Sequence, residues 1–382
     1  MSRFQNVRAY LPQKGIVRAD IVYENGVIVS VTETNDASAP SSLPENAVLL
    51  PGFIDEHIHG AGGADAMDGD RKALQTISET IAKEGTTAFL ATTMTQSLNA
   101  INTALHAVRD AIQAGDLAGS AVVGVHLEGP FISPKFIGAQ PPEYVATPNV
   151  AIFDAYQKEA DGAIRMVSLA PEVAGAEQLI AHLAANGVRP AVGHSGAGYD
   201  EMMAAVDAGL SCVTHTYNAQ SPVHHREVGV VGSAMLCDAL YTELICDTIH
   251  VSVPAIKLLL RNKPQDKVIL ITDSMRAKGL PDGISELGGQ TVYVKNGEAR
   301  LENGALAGSV LRMNDAIRNL VEKVGVPFET AVDFATVNPA THLGLAHERG
   351  TIEVGKRADF TVLDDQFHVL STIVGGKVVF EK

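Results

Sequence analysis

Eight short apolar segments recur between residues 51 and 345, and several are followed by a segment with helical periodicity. The strand-like segments are VLLPGFIDEHIH, TTAFLATT, AVVGVHLEGP, IRMVSLAPE, RPAVGHS, SCVTHTY, ELICDTIH and KVILITDS. Alternation of strands and helices is typical of parallel β/α units, and eight such strands favour a closed barrel over an open sheet. The sequence therefore predicts an α/β protein in which residues 51–345 form a (β/α)8 barrel.

The two ends of the chain are rich in strand signals and poor in helix signals. Asn25-Gly26 separates two β-branched runs, and Gly375-Gly376 separates two more near the C-terminus. Such pairs are typical of hairpin turns. A Pro- and Ser-rich loop is predicted at residues 36–44. We expect residues 1–50 and 346–382 to pair into one small β domain beside the barrel.

Charge and cysteine content limit the partners and the compartment. The chain has 29 Lys and Arg against 44 Asp and Glu, a formal charge of −15, which argues against nucleic acids and anionic membranes as partners. An anionic small substrate stays possible, since a few local cations suffice. Three cysteines (Cys212, Cys237 and Cys246) without a Cys-x-x-Cys pair suggest reduced thiols. With no signal-peptide pattern and no long apolar run, a cytoplasmic location is expected.

Histidine and carboxylate residues stand at the ends of the predicted barrel strands. These residues are His57, His59, Glu128, His194, His215 and Asp273. In a β/α barrel, strand ends on one face converge on the active site. Imidazole combined with carboxylate suits Zn, Fe, Mn or Co. Residues i and i+2 of a strand point to the same side, so His57 and His59 can bind one ion. The pattern predicts a divalent-metal site.

Each of these residues has a structural alternative when taken alone. His194 could belong to a turn, His215 could be a core histidine with a satisfied ring, and Glu128 could be a salt-bridge partner. Asp273 could cap a helix that begins at Ser274. Together these alternatives require independent coincidences at several strand ends, so the metal interpretation is favoured.

The motifs PGFIDEHIHG, HLEGPFISPKFIGAQ, GHSGA, THTYNAQSP, ITDSM and GTIEVGKRADFTVLD occur in this order along nearly the whole chain. In this they resemble the N-acetylglucosamine-6-phosphate deacetylase family of the amidohydrolase superfamily. The resemblance implies a distorted (β/α)8 barrel with a small β-sandwich domain built from both termini. It also implies hydrolysis of the acetamide of N-acetylglucosamine 6-phosphate to glucosamine 6-phosphate and acetate.

The resemblance also implies roles for the strand-end residues. Glu128, His194 and His215 match the metal triad of the family, and His57 and His59 match ligands of a second metal that Glu128 bridges. Two divalent ions per subunit are therefore expected. A metal lowers the pKa of bound water to about 7.

Asp273 is the expected general base and then general acid, beside its place among the metal ligands. Many family members have a histidine that polarises the acetyl carbonyl. This chain has Gln140 there, after Ala139, and its amide can donate a hydrogen bond but cannot become cationic.

The remaining substrate contacts are implied by the same resemblance. Arg226 and His250 are expected at the phosphate, and Asn218 and Ala219 are expected to donate from amide groups. The segment Leu306-Ala307-Gly308 is expected near the sugar. The family further implies a homodimer in which a neighbouring subunit contributes to the phosphate pocket.

Two other functions remain open on the sequence. A cyclic-amide hydrolase or deaminase of the same superfamily often has a carbamylated lysine at a strand end, whereas Glu128 occupies such a place here. A non-catalytic sugar-phosphate sensor would not require a general base, which argues against that alternative because Asp273 is present.

Overall fold

The computed structural model describes residues 2–34 and 39–382. Met1 and residues 35–38 lie outside the described residues, and with them part of the predicted loop 36–44 and part of the predicted domain segment 1–50.

The chain begins with four strands of a terminal sheet: β1 (Ser2–Leu11), β2 (Gly15–Glu24), β3 (Val27–Glu33) and β4 (Ala47–Pro51). Strands β2 and β3 form the predicted hairpin, and Glu24 pairs with Val27. Asn25 and Gly26 in its turn have φ values of 51° and 80°. A two-residue turn with positive φ at both positions matches the twist of paired strands, which explains the Asn-Gly signal.

Eight parallel strands form the barrel sheet. Seven lie within a predicted segment, and the seventh along the chain begins at Tyr241, two residues before the predicted segment ELICDTIH. The strands are β5 (Phe53–Ile58), β8 (Thr86–Thr93), β9 (Ala121–Glu128), β10 (Ile164–Leu169), β11 (Arg189–Val192), β12 (Cys212–Val213), β13 (Tyr241–Ile245) and β14 (Val268–Ile271). They are adjacent in chain order. Two short strands, β6 (Gly60–Ala61) and β7 (Ala64–Asp65), form a small ribbon after β5.

Helices follow the barrel strands and cover the outside of the sheet. They are α1 (Arg71–Ala82), α2 (Leu98–Ala114), α3 (Val150–Glu159), α4 (Ala176–Ala185), α5 (Tyr199–Asp207), α6 (Gly229–Leu236), α7 (Val253–Asn262), α8 (Met313–Asn319), α9 (Phe328–Asp333) and α10 (Val337–His342). In the described part of the chain, no helix is both long enough and apolar enough to cross a membrane.

Six further strands complete the fold. The β-rich insertion before α8 is an antiparallel sheet of β15 (Gly283–Leu287), β16 (Gln290–Lys295) and β17 (Glu298–Leu301). The chain ends with β18 (Phe360–Asp364), β19 (Val369–Val374) and β20 (Lys377–Glu381). These three extend the terminal sheet, whose order is β20-β19-β18-β4-β1-β2-β3. Both ends of the chain therefore share one sheet, while the predicted boundaries at residues 50 and 346 stay predictions.

The barrel is distorted between its first and last strands. At the level of Ile54 and Leu270, the segment 334–335 lies between β5 and β14, and its carbonyls accept the backbone N–H groups of these two residues, each at 2.8 Å. Closer to the carboxyl ends of the strands, the N–H of Asp273 donates to the carbonyl of His57 at 2.9 Å. This closure brings the ends of β5 and β14 together, where both have a predicted site residue.

Candidate metal centre and substrate pocket

Six buried side chains meet at the carboxyl end of the barrel. We name them the upper cluster, which consists of His57, His59, Glu128, His194, His215 and Asp273. All lie in the last residues of a barrel strand or within two residues of its end. The cluster contains every metal ligand predicted from the sequence, although no described helix begins at Ser274 to be capped by Asp273.

Glu128 lies at the centre of the upper cluster and faces histidines with both oxygens. Its Oε1 is 3.1 Å from Nε2 of His194 and 3.1 Å from Nε2 of His215, and these two nitrogens are 3.2 Å apart. Its Oε2 is 3.2 Å from Nε2 of His59. The two carboxylate oxygens therefore face different histidines.

Asp273 closes the other side of the cluster. Its Oδ1 lies 3.3 Å from Nε2 of His59 and 3.4 Å from Nε2 of His57. The Nε2 atom of His57 is buried and has no hydrogen-bond partner in the described part of the chain. Four Nε2 atoms thus point at two carboxylates, and one of these nitrogens is left unsatisfied.

The outer nitrogens of three of these rings bond to protein groups. They are His57 Nδ1 with Glu243 Oε2 at 2.9 Å, His59 Nδ1 with the Thr92 carbonyl at 3.3 Å, and His194 Nδ1 with the Phe136 carbonyl at 2.9 Å. A carbonyl or carboxylate oxygen accepts, so Nδ1 donates in each case, and in the neutral ring the lone pair that faces the cluster is on Nε2. Metal-binding histidines in proteins show this arrangement.

Three residues of the cluster have left-handed backbone conformations. The φ values are 51° for His194, 30° for His215 and 47° for Asp273. Each such conformation costs on the order of 1–3 kcal/mol in a non-glycine residue, and strain of this kind concentrates at functional sites. The neighbouring structure fixes Asp273, because its carbonyl accepts the Ser309 N–H at 2.7 Å.

The charges of the cluster are mutually dependent. Burial opposes ionisation of Glu128, but the surrounding histidines outweigh it and hold the pKa of Glu128 well below its usual range. Burial likewise disfavours the charged form of His57, yet Glu243, Asp273 and Glu128 raise the pKa of His57 to about 9. Without another cation, protons on the histidines must compensate the carboxylates.

These residues fit a divalent metal. Imidazole nitrogens and carboxylate oxygens are the ligand set that Zn, Fe, Mn and Co accept. The unsatisfied Nε2 of His57 and the close approach of the His194 and His215 nitrogens both call for a cation between them. A metal would balance the carboxylates in place of protons.

A cavity of about 440 Å³ opens above the upper cluster. Its lining includes most of the predicted substrate contacts: Ala139, Gln140, Asn218, Ala219, His250, Leu306 and Gly308. Ala307 is fully buried and does not line the cavity. Arg226 does not line it either; its side chain is exposed and lies 2.8 Å from His225 Nε2. Within this one chain, Arg226 therefore does not reach the cavity.

Gln140 is held in a fixed orientation. Its Oε1 accepts the Thr95 N–H at 2.7 Å, and its Nε2 donates to Glu128 Oε2 at 2.8 Å. Gln140, which the sequence comparison places where many family members have a histidine, therefore donates a hydrogen bond to Glu128. An amide nitrogen has two hydrogens, so one donor remains for a ligand.

Sequence reasoning missed two residues with direct relevance to the site. Lys135 lines the cavity and has no ion-pair partner among the described residues. It lies inside the motif HLEGPFISPKFIGAQ, and this position is the feature of the sequence that could have identified it. Glu243 lies inside β13, and no motif marks it.

A second group of residues with metal-binding side chains includes positions that precede the upper cluster along β5 and β12. We name it the lower cluster, which consists of Glu56, Cys212 and His342, all buried. Both oxygens of Glu56 are 3.0 Å from Nδ1 of His342. None of the three residues lines the cavity above the upper cluster.

A β/α barrel that gathers histidines and carboxylates at the carboxyl ends of its strands defines a metal-dependent barrel hydrolase. Comparisons with known proteins agree: the sequence model of the amidohydrolase family matches residues 48–379. An N-acetylglucosamine-6-phosphate deacetylase from Bacillus subtilis (strain 168) is 42% identical over 377 residues, covering 96% of this chain and 95% of the relative. An N-acetylgalactosamine-6-phosphate deacetylase from Escherichia coli O157:H7 is 38% identical over 341 residues, covering 89% and 90%.

A solved structure adds a ligand-bound relative. It is an aspartate-to-alanine variant of N-acetyl-D-glucosamine-6-phosphate deacetylase from Mycobacterium smegmatis in complex with N-acetyl-D-glucosamine-6-phosphate. It is 30% identical, covers 98% of this chain and 99% of its own, and has a TM-score of 0.91. The chain therefore belongs to the amidohydrolase family and, within it, to the N-acetylglucosamine-6-phosphate deacetylases. The predicted family, barrel fold and hydrolase class are confirmed.

Proposed function

We propose that the chain hydrolyses the acetamide of N-acetylglucosamine 6-phosphate to glucosamine 6-phosphate and acetate. The observation that supports this most strongly is the convergence of four Nε2 atoms on Glu128 and Asp273 at the floor of the cavity. The same cavity is lined by His250 and Lys135, whose N–H groups can donate to a phosphate.

Two metal ions per subunit fit the cluster. Glu128 Oε1 faces His194 and His215, while Oε2 faces His59, so this carboxylate suits a bridge between two positions. When bound, the metal polarises the carbonyl and lowers the pKa of water, which supplies a nucleophile at neutral pH.

Asp273 has the geometry of a proton carrier. Its pKa is lowered: burial raises it, but the positive charge of His57 and the hydrogen bond from His59 outweigh that effect. It is therefore ionised at neutral pH, lines the cavity, and can accept a proton from water and return it to the leaving amine. The second hydrogen of the Gln140 amide can donate to the carbonyl oxygen as it becomes negative.

The phosphate contacts involve more than one subunit in this proposal. Within a subunit, His250 lines the cavity and is held by Asp247, whose Oδ2 is 2.5 Å from Nδ1 of His250. Lys135 lines the same pocket and can contact the phosphate through its ammonium group. Arg226 is exposed and outside its own subunit's cavity, so we assign it to the pocket of the second subunit of a homodimer. Three free cysteines are compatible with the proposed cytoplasmic location.

The experiment compares acetate release from N-acetylglucosamine 6-phosphate, N-acetylgalactosamine 6-phosphate and unphosphorylated N-acetylglucosamine by the metal-loaded protein. We expect fast release from the first and slow release from the third. Faster release from the galacto sugar would replace the proposed substrate with the one named for the Escherichia coli relative. Ligand binding without acetate release would favour a sensor.

Lys135→Ala tests the phosphate pocket. Loss of a charge-assisted contact should raise KM for the phosphorylated sugar by about tenfold or more and leave the unphosphorylated sugar unaffected. Lys72→Ala, which removes an exposed lysine from α1, is the matched control and should change neither constant. Equal behaviour of the two variants would remove Lys135 from the pocket.

A further inference from the structure

Glu243 connects two parts of the upper cluster from below. Its side chain is fully buried inside β13. Its Oε2 lies 2.9 Å from Nδ1 of His57 and accepts the backbone N–H of His215 at 3.0 Å. Its own carbonyl accepts the N–H of Thr216 at 2.9 Å. Glu243 thus contacts both a histidine from the first barrel strand and the strained segment that follows the sixth barrel strand.

The bond to Glu243 decides which ring nitrogen of His57 is free. Glu243 Oε2 is the acceptor in this bond, so Nδ1 of His57 has the hydrogen. A neutral imidazole then has its lone pair on Nε2, which faces Asp273 Oδ1 at 3.4 Å and Glu128 Oε1 at 3.7 Å. That is the nitrogen left without a hydrogen-bond partner in the described part of the chain.

His57 differs from the other three histidines in its outer partner. The Nδ1 atoms of His59 and His194 donate to backbone carbonyls, and Nδ1 of His215 has no hydrogen-bond partner among the described residues. Only His57 is oriented by a side chain, and only a carboxylate adds negative charge that strengthens the imidazole as a ligand. The orientation of His57 can therefore be changed by a single substitution that removes no ligand.

The burial of Glu243 is not explained by folding alone. Its Oε1 has no hydrogen-bond partner in the described structure, although the side chain is fully buried. A buried polar oxygen without a partner is unfavourable, and an apolar residue of similar size would avoid that cost. The position is explained if the carboxylate is needed by His57.

We propose that Glu243 is a positioning residue of the metal centre, which fixes the His57 ring with Nδ1 protonated and Nε2 aimed at the metal. The inference rests on the two-metal centre of the proposed function, and it assigns a role outside the ligand set.

Metal binding to Glu243→Met and Glu243→Gln tests the proposal directly. Metal content after dialysis, competition with a chelator and the absorption spectrum of the cobalt-loaded protein are the readouts, together with the melting temperature of the metal-free form. In Glu243→Met we expect one ion to bind about 10- to 100-fold more weakly and the other to bind as in the unchanged protein. Glu243→Gln keeps an acceptor for Nδ1 and should recover part of this loss.

A matched control is Glu84→Gln. Glu84 is buried to a similar degree and pairs with Lys278 at 2.7 Å, away from the ligands. It should lower the melting temperature without changing affinity for either ion. If Glu243→Met does not fold, Glu243→Gln decides: weaker binding of one ion with an unchanged metal-free melting temperature supports the proposal.

Three outcomes are distinguishable. The positioning role alone would be overturned if both Glu243 variants bind two ions with unchanged affinity, or if they lose both ions equally. An unchanged protein that binds two ions but releases no acetate would overturn only the proposed substrate. A single ion in the unchanged protein would contradict both the two-metal centre and this inference.

Discussion

The upper and lower clusters contain similar types of metal-binding side chain but differ in how those side chains are hydrogen-bonded. In the lower cluster the one histidine, His342, shares its Nδ1 with both oxygens of Glu56 at 3.0 Å. In the upper cluster, two histidines approach the same oxygen of Glu128, and their nitrogens lie 3.2 Å from each other. In the lower cluster a single ring N–H can satisfy the carboxylate. In the upper cluster several ring nitrogens and carboxylate oxygens approach one another closely, and a metal ion can bind their lone pairs in place of protons.

Access separates the two clusters further. The upper cluster lies at the floor of a cavity of about 440 Å³. The lower cluster is enclosed, and the His342 ring packs 4.8 Å from the Tyr241 ring, where β13 begins. Residue type alone therefore does not define a metal site. A site also needs lone pairs that converge without protons between them, and a path for the ion and substrate.

The largest effect should follow from Asp273→Asn in the upper cluster. Loss of the general base should lower kcat by about 10²–10⁴, because the amide cannot accept and return a proton. The ions bound by the remaining histidines and Glu128 should stay. Steady-state rates and metal analysis on the same sample are the measurements. A rate within a few-fold of the unchanged protein would exclude Asp273 from proton transfer.

His342→Leu in the lower cluster should change stability and not metal content. Glu56 would remain buried without its partner, which costs about 3 kcal/mol in the free energy of unfolding. Urea unfolding of the metal-free protein measures this loss, and elemental analysis measures the ions.

The double variant Glu56→Leu with His342→Leu should recover most of that stability, since no unpaired polar group remains. Loss of a metal ion in His342→Leu with the upper cluster intact would show that the lower cluster also binds metal, and the contrast between the clusters would fail.

The smallest effect concerns the thiols. Burial, together with the nearby Asp247, raises the pKa of Cys246 to about 12, and burial with Glu243 raises the pKa of Cys212 well above its usual value. Raised pKa values keep both groups as neutral thiols at pH 8, where the reactive thiolate is scarce. Iodoacetamide at pH 8 should label the partly exposed Cys237 and spare the other two, as read by mass spectrometry. Labelling of native Cys212 would contradict an enclosed lower cluster.

The sequence predicted the parts of the site that local pattern determines. The segment PGFIDEHIHG predicted a strand followed by paired histidines, and both Nε2 atoms of that pair approach Asp273. Placement of Glu128 and His194 followed from the rule that strand ends converge. These residues are recognisable because each directly follows or ends an apolar run, so chain position alone indicates the barrel face.

Other parts depended on tertiary contacts that local pattern does not encode. Glu243 has the appearance of an ordinary polar residue within a strand, and its role follows only from its distance to His57. Helix α6 cannot be recognised from periodicity, because most of its residues are buried and no polar face marks a helical period. Strand β12 lies within the predicted segment SCVTHTY but has only two residues, so its length did not follow from the pattern. Arg226 was expected at the phosphate, yet its side chain is exposed and does not line the cavity.

If the upper cluster holds the metal required for deacetylation, stepwise return of metal to the stripped protein should restore activity. The protein is stripped with a chelator, divalent metal is added back in measured amounts, and acetate release from N-acetylglucosamine 6-phosphate is followed at each step. We predict that the stripped protein is inactive and that activity rises with metal bound up to two ions per chain. Full activity without metal, or metal-saturated protein that releases no acetate, would contradict the account.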